Sequence, residues 1–424
     1  MGLSREMLRD RYRAVRAFTA GLCKRLETED CVVQSMPDAS PAKWHLGHTT
    51  WFFETFVLQR AASGYEPLDT RYAFIFNSYY HAAGDRQPQA RRGLLSRPTV
   101  VEIDAYRHHV DRHMERFLED APADPFREHA LVVEVGLHHE QQHQELILTD
   151  IKHVFAQNPL EPRYHIPTST RTPAVPAASA PPGWLPLEGG LVDVGNAGDD
   201  FAFDNERPRH RAHLEPFELA RRLVTCGEFL EFIEDGGYLR PELWLSDGWD
   251  ARERHGWEAP LYWRQEDGRR SLMTLGGRLP LDLGEPVCHV SYYEADAFAR
   301  WAGARLPREE EWELAAVRQE VAGNFVESGR LHPSASNAAR DGAAAQLYGD
   351  AWEWTASAYH PYPGYTPFPG ALGEYNGKFM SGRMVLRGGS CASPAAHLRP
   401  TYRNFFPPDA RWQFSGVRLA RNLL

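Results

Sequence analysis

The run LVVEVGLHHEQQHQELILTDIKHVF, residues 131–155, constrains this chain more than any other stretch. It contains no proline and only one glycine, Gly136, so it predicts one long helix. His139 and His143 lie four apart and therefore project from one helix face, one turn above the other, where both can hold a single metal ion. The same residues spell H-E-x-x-H, the signature of zinc proteases. Whether the match is chemistry or spelling depends on what else the chain brings to that face.

A chain of 424 residues has room for two domains or more. A net charge of −10 with no basic stripe argues against a nucleic-acid partner. No apolar run reaches membrane-spanning length, and the charged start MGLSREMLRDRYR lacks a signal peptide's apolar stretch, so no membrane role is expected. The five cysteines (Cys23, Cys31, Cys226, Cys288, Cys391) are scattered without close pairs, which predicts reduced thiols and a cytoplasmic location.

The texture changes along the chain. Residues 1–156 read as a helical bundle. Apolar positions recur at helical spacing over 4–27, Ser40-Pro41 reads as a cap and first turn opening AKWHLGHTTWFFETFVLQRAA, and further helices are expected over 99–118 and 124–156. Bundles of this kind build metal sites from inward-facing side chains on different helices. Residues 157–184 are rich in Pro, Ser, Thr and Ala and predict a linker. From 185 to 424 short strands, glycine-rich turns and two helices, near 225–235 and 292–303, predict a loop-rich α+β domain. The fold class is thus α+β and multidomain.

Two histidines need a third donor. The metzincin extension is absent, since QELILT follows the motif where Gly and His are required. His45 and His48, three apart in WHLGHTTWFF, offer further imidazoles from another helix, and His138 and His153 are rivals on the first. Three imidazoles without a carboxylate suit iron(II), copper or zinc, and ligand type alone does not choose among them.

WHLGHTTWFFE together with HHEQQHQEL resembles the DinB-like bundle of the ergothioneine-biosynthesis sulfoxide synthases, which are non-haem iron enzymes. The resemblance implies Fe(II) held by His48, His139 and His143, with Gln142 hydrogen-bonding the substrate imidazole. PVCHVSYYEADAFARWAGARLPREEEWELAA (286–316), GDAWEWT (349–355), VLRGGS (385–390) and SGVRLAR (415–421) resemble the C-type-lectin-like fold of formylglycine-generating enzymes, also called sulfatase-modifying factors. Formylglycine generation itself needs a cysteine pair after RGGS, and only Cys391 is present.

The resemblance further implies an O2-dependent joining of hercynine (trimethylated histidine) to the thiol of cysteine or γ-glutamylcysteine, giving a sulfoxide. Tyr80, then Tyr79, match the active-site phenol of one subgroup, and Tyr359 is the candidate if the phenol comes from the lectin-like domain, as in another. Asn404, Phe405 and Phe406 match the hercynine-binding loop, where aromatic faces suit a trimethylammonium group. Arg92 and Arg91 are candidates for the thiol substrate's carboxylate, and Asp38 for a turn cap or an acceptor near the site. The alternatives are an ovothiol-type synthase, which usually carries a further methyltransferase domain, and a zinc-binding bundle without oxygenase activity.

Overall fold

The computed structural model describes residues 4–165, 183–336 and 343–423. The predicted linker 157–184 falls largely on 166–182, outside the described residues. The chain forms two compact units. The first comprises Met1–Tyr164 with two segments from later in the chain, Gly198–Phe203 and Pro367–Asn376; the second comprises His165–Ala197, Asp204–Thr366 and Gly377–Leu424.

Helices dominate the first unit. In α1 (Arg5–Cys23) Ser4 caps the first turn by accepting from the Met7 amide, and Leu8, Tyr12, Arg16, Thr19 and Leu22 form the buried face at three-to-four spacing. Helix α2 (Ala42–Phe53) is buried at every position, as expected of a helix at the centre of a bundle. It passes through a π-helical turn, Glu54–Leu58, into Gln59–Ala61. A short α3 (Tyr72–Phe76) precedes α4 (Val100–Asp120), which opens on a Thr99–Glu102 capping box. Helix α5 (Ala123–Gln157) carries the histidine motif. Helices α1 and α2 each pack against both α4 and α5.

The expected Ser40 cap does not form, because tertiary partners take its polar groups. Its hydroxyl accepts from Arg92 Nη1 at 2.8 Å and its amide donates to Asp150 Oδ2 at 2.8 Å, leaving Pro41 at the cap position.

Gly136 sets the approach of α2 to α5. A Cβ there would lie 2.6 Å from Phe53 Cε1 and 2.8 Å from Phe52 Cε1, closer than carbon atoms tolerate. Only a residue without a side chain admits both rings of α2 at this point.

The second unit is a loop-rich α+β module. Strands β1 (Trp184–Leu187), β4 (Phe217–Ala220) and β12 (Ala420–Asn422) form one antiparallel sheet, and β2 (Gly190–Val194) pairs with β3 (His210–Leu214). Strands β5 (Trp263–Glu266), β6 (Arg269–Thr274) and β7 (Gly277–Pro280) form a meander. The fourth sheet runs β10 (Asn404–Phe406), β9 (Met384–Arg387), β8 (Trp352–Ala358) and β11 (Ser415–Gly416), the last pair parallel.

The two expected helices are α6 (Cys226–Glu234) and α8 (Tyr292–Trp301), both with Ser/Thr–Glu capping boxes. Two more, α7 (Ser246–His255) and α9 (Glu309–Ala316), were not expected. The first is too polar to show an apolar stripe. The second is short, with its first turn fixed by Glu311 accepting from the Arg308 amide at 2.8 Å and from Arg305 at 2.7 and 2.8 Å.

Arginine–carboxylate pairs, many of them fully buried, hold the loops together: Arg418–Glu353, Arg387–Glu313, Arg403–Glu309 and Arg411–Glu294. Glu353 also accepts from Trp312 Nε1 at 2.8 Å. Breaking such a pair leaves an uncompensated buried charge. Glu353→Ala is therefore expected to cost about 3–5 kcal/mol in a denaturant titration; a loss within experimental error would show that the pair contributes nothing to stability.

Candidate metal centre

The close packing of α2 on α5 brings three imidazoles together in the first unit. His48, His139 and His143 are all buried, and one ring nitrogen from each lies within 4.8 Å of the others. His48 Nε2 is 3.0 Å from His139 Nε2. The other nitrogen of His48, Nδ1, donates to the Phe76 carbonyl at 2.6 Å, which leaves the lone pair of Nε2 aimed into the cluster.

Neighbouring rings hold His48 in place. Trp44, His48 and Trp51 share one face of α2 at i, i+4 and i+7 and stack, with centroids 4.6 and 5.5 Å apart. The Arg92 guanidinium continues this column 3.3 Å from the Trp44 ring centroid. His139 is packed by Phe52 at 4.9 Å.

Burial lowers the proton affinity of all three histidines, and their mutual proximity adds to this for His48 and His143. His139 falls to about 3, burial again being the largest cause. The rings are thus neutral at physiological pH and present lone pairs. No carboxylate belongs to the trio. Three converging neutral imidazoles fit a divalent first-row ion such as iron or zinc and do not fit a hard, all-oxygen cation such as calcium.

The glutamate of H-E-x-x-H is spoken for. Glu140 is fully buried, with Oε2 accepting from Arg16 Nη1 at 2.9 Å and Oε1 from Arg107 Nη2 at 3.0 Å. Burial would raise its carboxyl, but the two guanidiniums outweigh that and hold it at about 2. A carboxylate clamped in this way cannot act as the general base of a metalloprotease.

The rival histidines lie elsewhere. His138 stacks on Phe201 at 4.2 Å with Nε2 3.3 Å from Arg11, and His153 Nδ1 is 2.7 Å from Ser35 Oγ. His45 stays beside the trio without belonging to it, its Nδ1 2.8 Å from His143 Nδ1.

Gln142, on α5, accepts a hydrogen bond from the Tyr375 hydroxyl. The Tyr375 ring also lies edge-on to His139 at 5.6 Å and stacks on Phe203 at 5.3 Å. Both tyrosine and phenylalanine come from the late segments that belong to this unit, and Glu374 anchors the segment of Tyr375 by accepting from the His81 and Ala82 amides at 3.0 and 2.8 Å. Tyr375 was not expected from sequence, where GEYNGKF reads as an ordinary glycine-flanked loop.

Tyr80 is fully buried, with burial and the neighbouring Tyr79 and Tyr375 pushing its phenol well above the usual range. It stacks on Tyr79 at 4.6 Å and meets Trp51 at 5.7 Å, one ring away from His48. Arg92 is buried, its guanidinium brought down to about 9 by burial, whereas Arg91 and Asp38 are exposed. Asn404, Phe405 and Phe406 form β10 of the second unit, where Phe405 lies between Tyr359 at 4.1 Å and Phe379 at 5.7 Å. Tyr359 belongs to that second unit as well, its hydroxyl accepting from Asn205 Nδ2 at 2.8 Å.

The fold and site define a bimodular protein, a helical unit with a buried three-histidine centre followed by an α+β unit of sulfatase-modifying-factor type. The DinB superfamily matches residues 11–147, and the Sulfatase-modifying factor enzyme 1-like domain matches residues 170–345 and 341–423. Hercynine oxygenase from Mycobacterium tuberculosis is 32% identical over 98% of this chain and 99% of its own length. That from Mycolicibacterium thermoresistibile is 33% identical over 91% of this chain and 88% of its own. Ergothioneine biosynthesis protein 1 from Schizosaccharomyces pombe is 28% identical over 52% of this chain and 28% of its own. The chain belongs to the hercynine oxygenase family. Among the described residues no helix is long and apolar enough to cross a membrane.

The two halves of the HEQQH motif should separate on mutation. Glu140→Ala is expected to destabilise the metal-free protein by about 3–5 kcal/mol in thermal or denaturant melts while the folded fraction still binds ferrous ion one to one. His139→Ala should abolish stoichiometric binding. Retained binding in His139→Ala would remove that histidine from the centre.

Proposed function

We propose that this protein is a ferrous-iron, O2-dependent sulfoxide synthase of ergothioneine biosynthesis that joins hercynine to the thiol of cysteine or γ-glutamylcysteine. The full-length likeness to hercynine oxygenases, combined with the buried His48/His139/His143 cluster, carries this reading. The choice of iron rests on the enzyme class together with an all-imidazole donor set that leaves coordination positions open. When bound, iron supplies the redox chemistry that couples O2 reduction to carbon–sulfur and sulfur–oxygen bond formation. The scattered spacing of the five cysteines supports a reducing, cytoplasmic location.

The protein's own groups divide the remaining work. Neutral His48, His139 and His143 hold the metal, and the Trp44–His48–Trp51 stack fixes the first of them. Gln142 orients the hercynine imidazole by a hydrogen bond. Its present bond to Tyr375 supports this role, because that phenol already marks a polar position beside His139. Arg92, buried and cationic, binds the thiol substrate's carboxylate, with exposed Arg91 in support; the desolvation that lowers its proton affinity also strengthens its attraction for an anion. Asp38 has a peripheral role: its backbone carbonyl accepts from Gln89 at 2.8 Å and steadies the turn before α2. Asn404, Phe405 and Phe406 take the trimethylammonium end of hercynine, a role that rests on the family's loop and on the aromatic stacking at Phe405.

A phenol is needed to deliver a proton while the sulfoxide forms. Tyr79 and Tyr80 retain that role as proposed from sequence, and Tyr375 joins them as the phenol whose ring touches a metal-binding histidine.

Metal-free protein loaded anaerobically with ferrous ion, then given hercynine, either thiol and O2, should consume oxygen and yield a sulfoxide by mass spectrometry. No product with either thiol would sink the assignment. Tyr375→Phe and Tyr80→Phe, compared under the same conditions, should shift the products from sulfoxide towards sulfinic acid. The larger shift identifies the donor, and unchanged ratio and rate in both would move proton delivery away from these residues.

A further inference from the structure

Each ligating imidazole has two nitrogens, and only the deprotonated one can bind a metal. Where the single proton of a neutral ring sits is therefore as important as where the ring lies. For His48 the Phe76 carbonyl, an obligate acceptor, settles it. For His143 the answer lies two residues away.

Asp150 sits two turns beyond His143 on α5, and His45 one turn before His48 on α2. Asp150 Oδ2 accepts from the Ser40 amide at 2.8 Å and lies 3.0 Å from His45 Nε2. A carboxylate only accepts, so His45 carries its proton on Nε2 and presents a lone pair at Nδ1. That lone pair faces His143 Nδ1 at 2.8 Å. Two lone pairs cannot face each other at hydrogen-bonding distance, so His143 Nδ1 carries the proton and donates it. His143 Nε2 is left unprotonated. All three residues are buried, so water does not offer these groups competing partners.

We propose that Asp150 and His45 are positioning residues which, through this chain of hydrogen bonds, lock the proton of His143 on Nδ1 and keep its Nε2 open as a metal donor. Acceptors of this kind orient metal-ligating histidines and raise their basicity, and their loss typically weakens metal binding by about 10–100-fold. His139 stands apart from the other two rings, because its buried Nδ1 has no hydrogen-bond partner among the described residues. Two of the three rings are thus preset by acceptors in the protein, one by a backbone carbonyl and one by a side-chain relay.

The consequence for metal affinity rests on the function proposed above, but the proton placement does not, so the first measurement uses the metal-free full chain. Nitrogen-15 NMR of histidine-labelled protein should show neutral His143 protonated on Nδ1. Asp150→Ala and His45→Phe should lose that preference. Asp150→Asn, whose amide oxygen replaces Oδ2 as acceptor, should retain it. In anaerobic chelator competition the ferrous dissociation constant should rise about 10–100-fold in the first two variants and stay near wild type in the third.

Protonation of His143 on Nε2 in the wild-type protein would overturn the proposal. So would wild-type tautomer and iron affinity in both Asp150→Ala and His45→Phe. Should Asp150→Ala fail to fold, His45→Phe and the wild-type spectrum decide. A correct Nδ1 tautomer in a protein that binds no iron would instead overturn the metal reading and leave the proton placement standing.

Discussion

The close approach of α2 to α5 underlies everything else in the helical unit. Gly136 admits the Phe52 and Phe53 rings where any Cβ would collide with them, and one turn further along α5 the face that carries His139 and His143 begins. With the helices so near, His48 reaches within 3.0 Å of His139. A wider spacing would leave two histidines on one helix and a third out of reach. Packing complementarity, not any single polar contact, assembles the centre.

Charge is then kept out of the trio and concentrated just behind it. Glu140 and the Arg16–Arg107 pair neutralise one another on the face of α5 that meets α1 and α4, with Asp111 accepting from both Arg16 and Tyr12. The imidazoles, left without a counter-charge and shielded from water, remain neutral. The same five-residue spelling therefore serves opposite purposes in different settings. In a metalloprotease the glutamate acts on water; here it anchors three helices, and the adjoining Gln142 faces Tyr375.

Much of this was legible in the sequence because it is local. The i, i+4 spacing of His139 and His143, the pair on WHLGH and the texture change after residue 185 all follow from helical periodicity and composition. Other features depend on tertiary partners and left no local trace. Ser40 reads as a cap until Arg92 and Asp150 claim it. Tyr375 reads as loop, yet its segment belongs to the helical unit and its hydroxyl bonds a residue 233 positions earlier. Helices α7 and α9 lack an apolar stripe long enough to announce them.

The proposed iron centre draws three neutral imidazoles from two helices. X-ray absorption at the iron edge of anaerobically loaded protein tests it most directly. The structure predicts a first shell containing three histidine nitrogens, with the multiple-scattering pattern of rigid imidazole rings and no carboxylate or sulfur from the protein. A shell dominated by carboxylate oxygen, or one with two imidazoles or fewer, would contradict it.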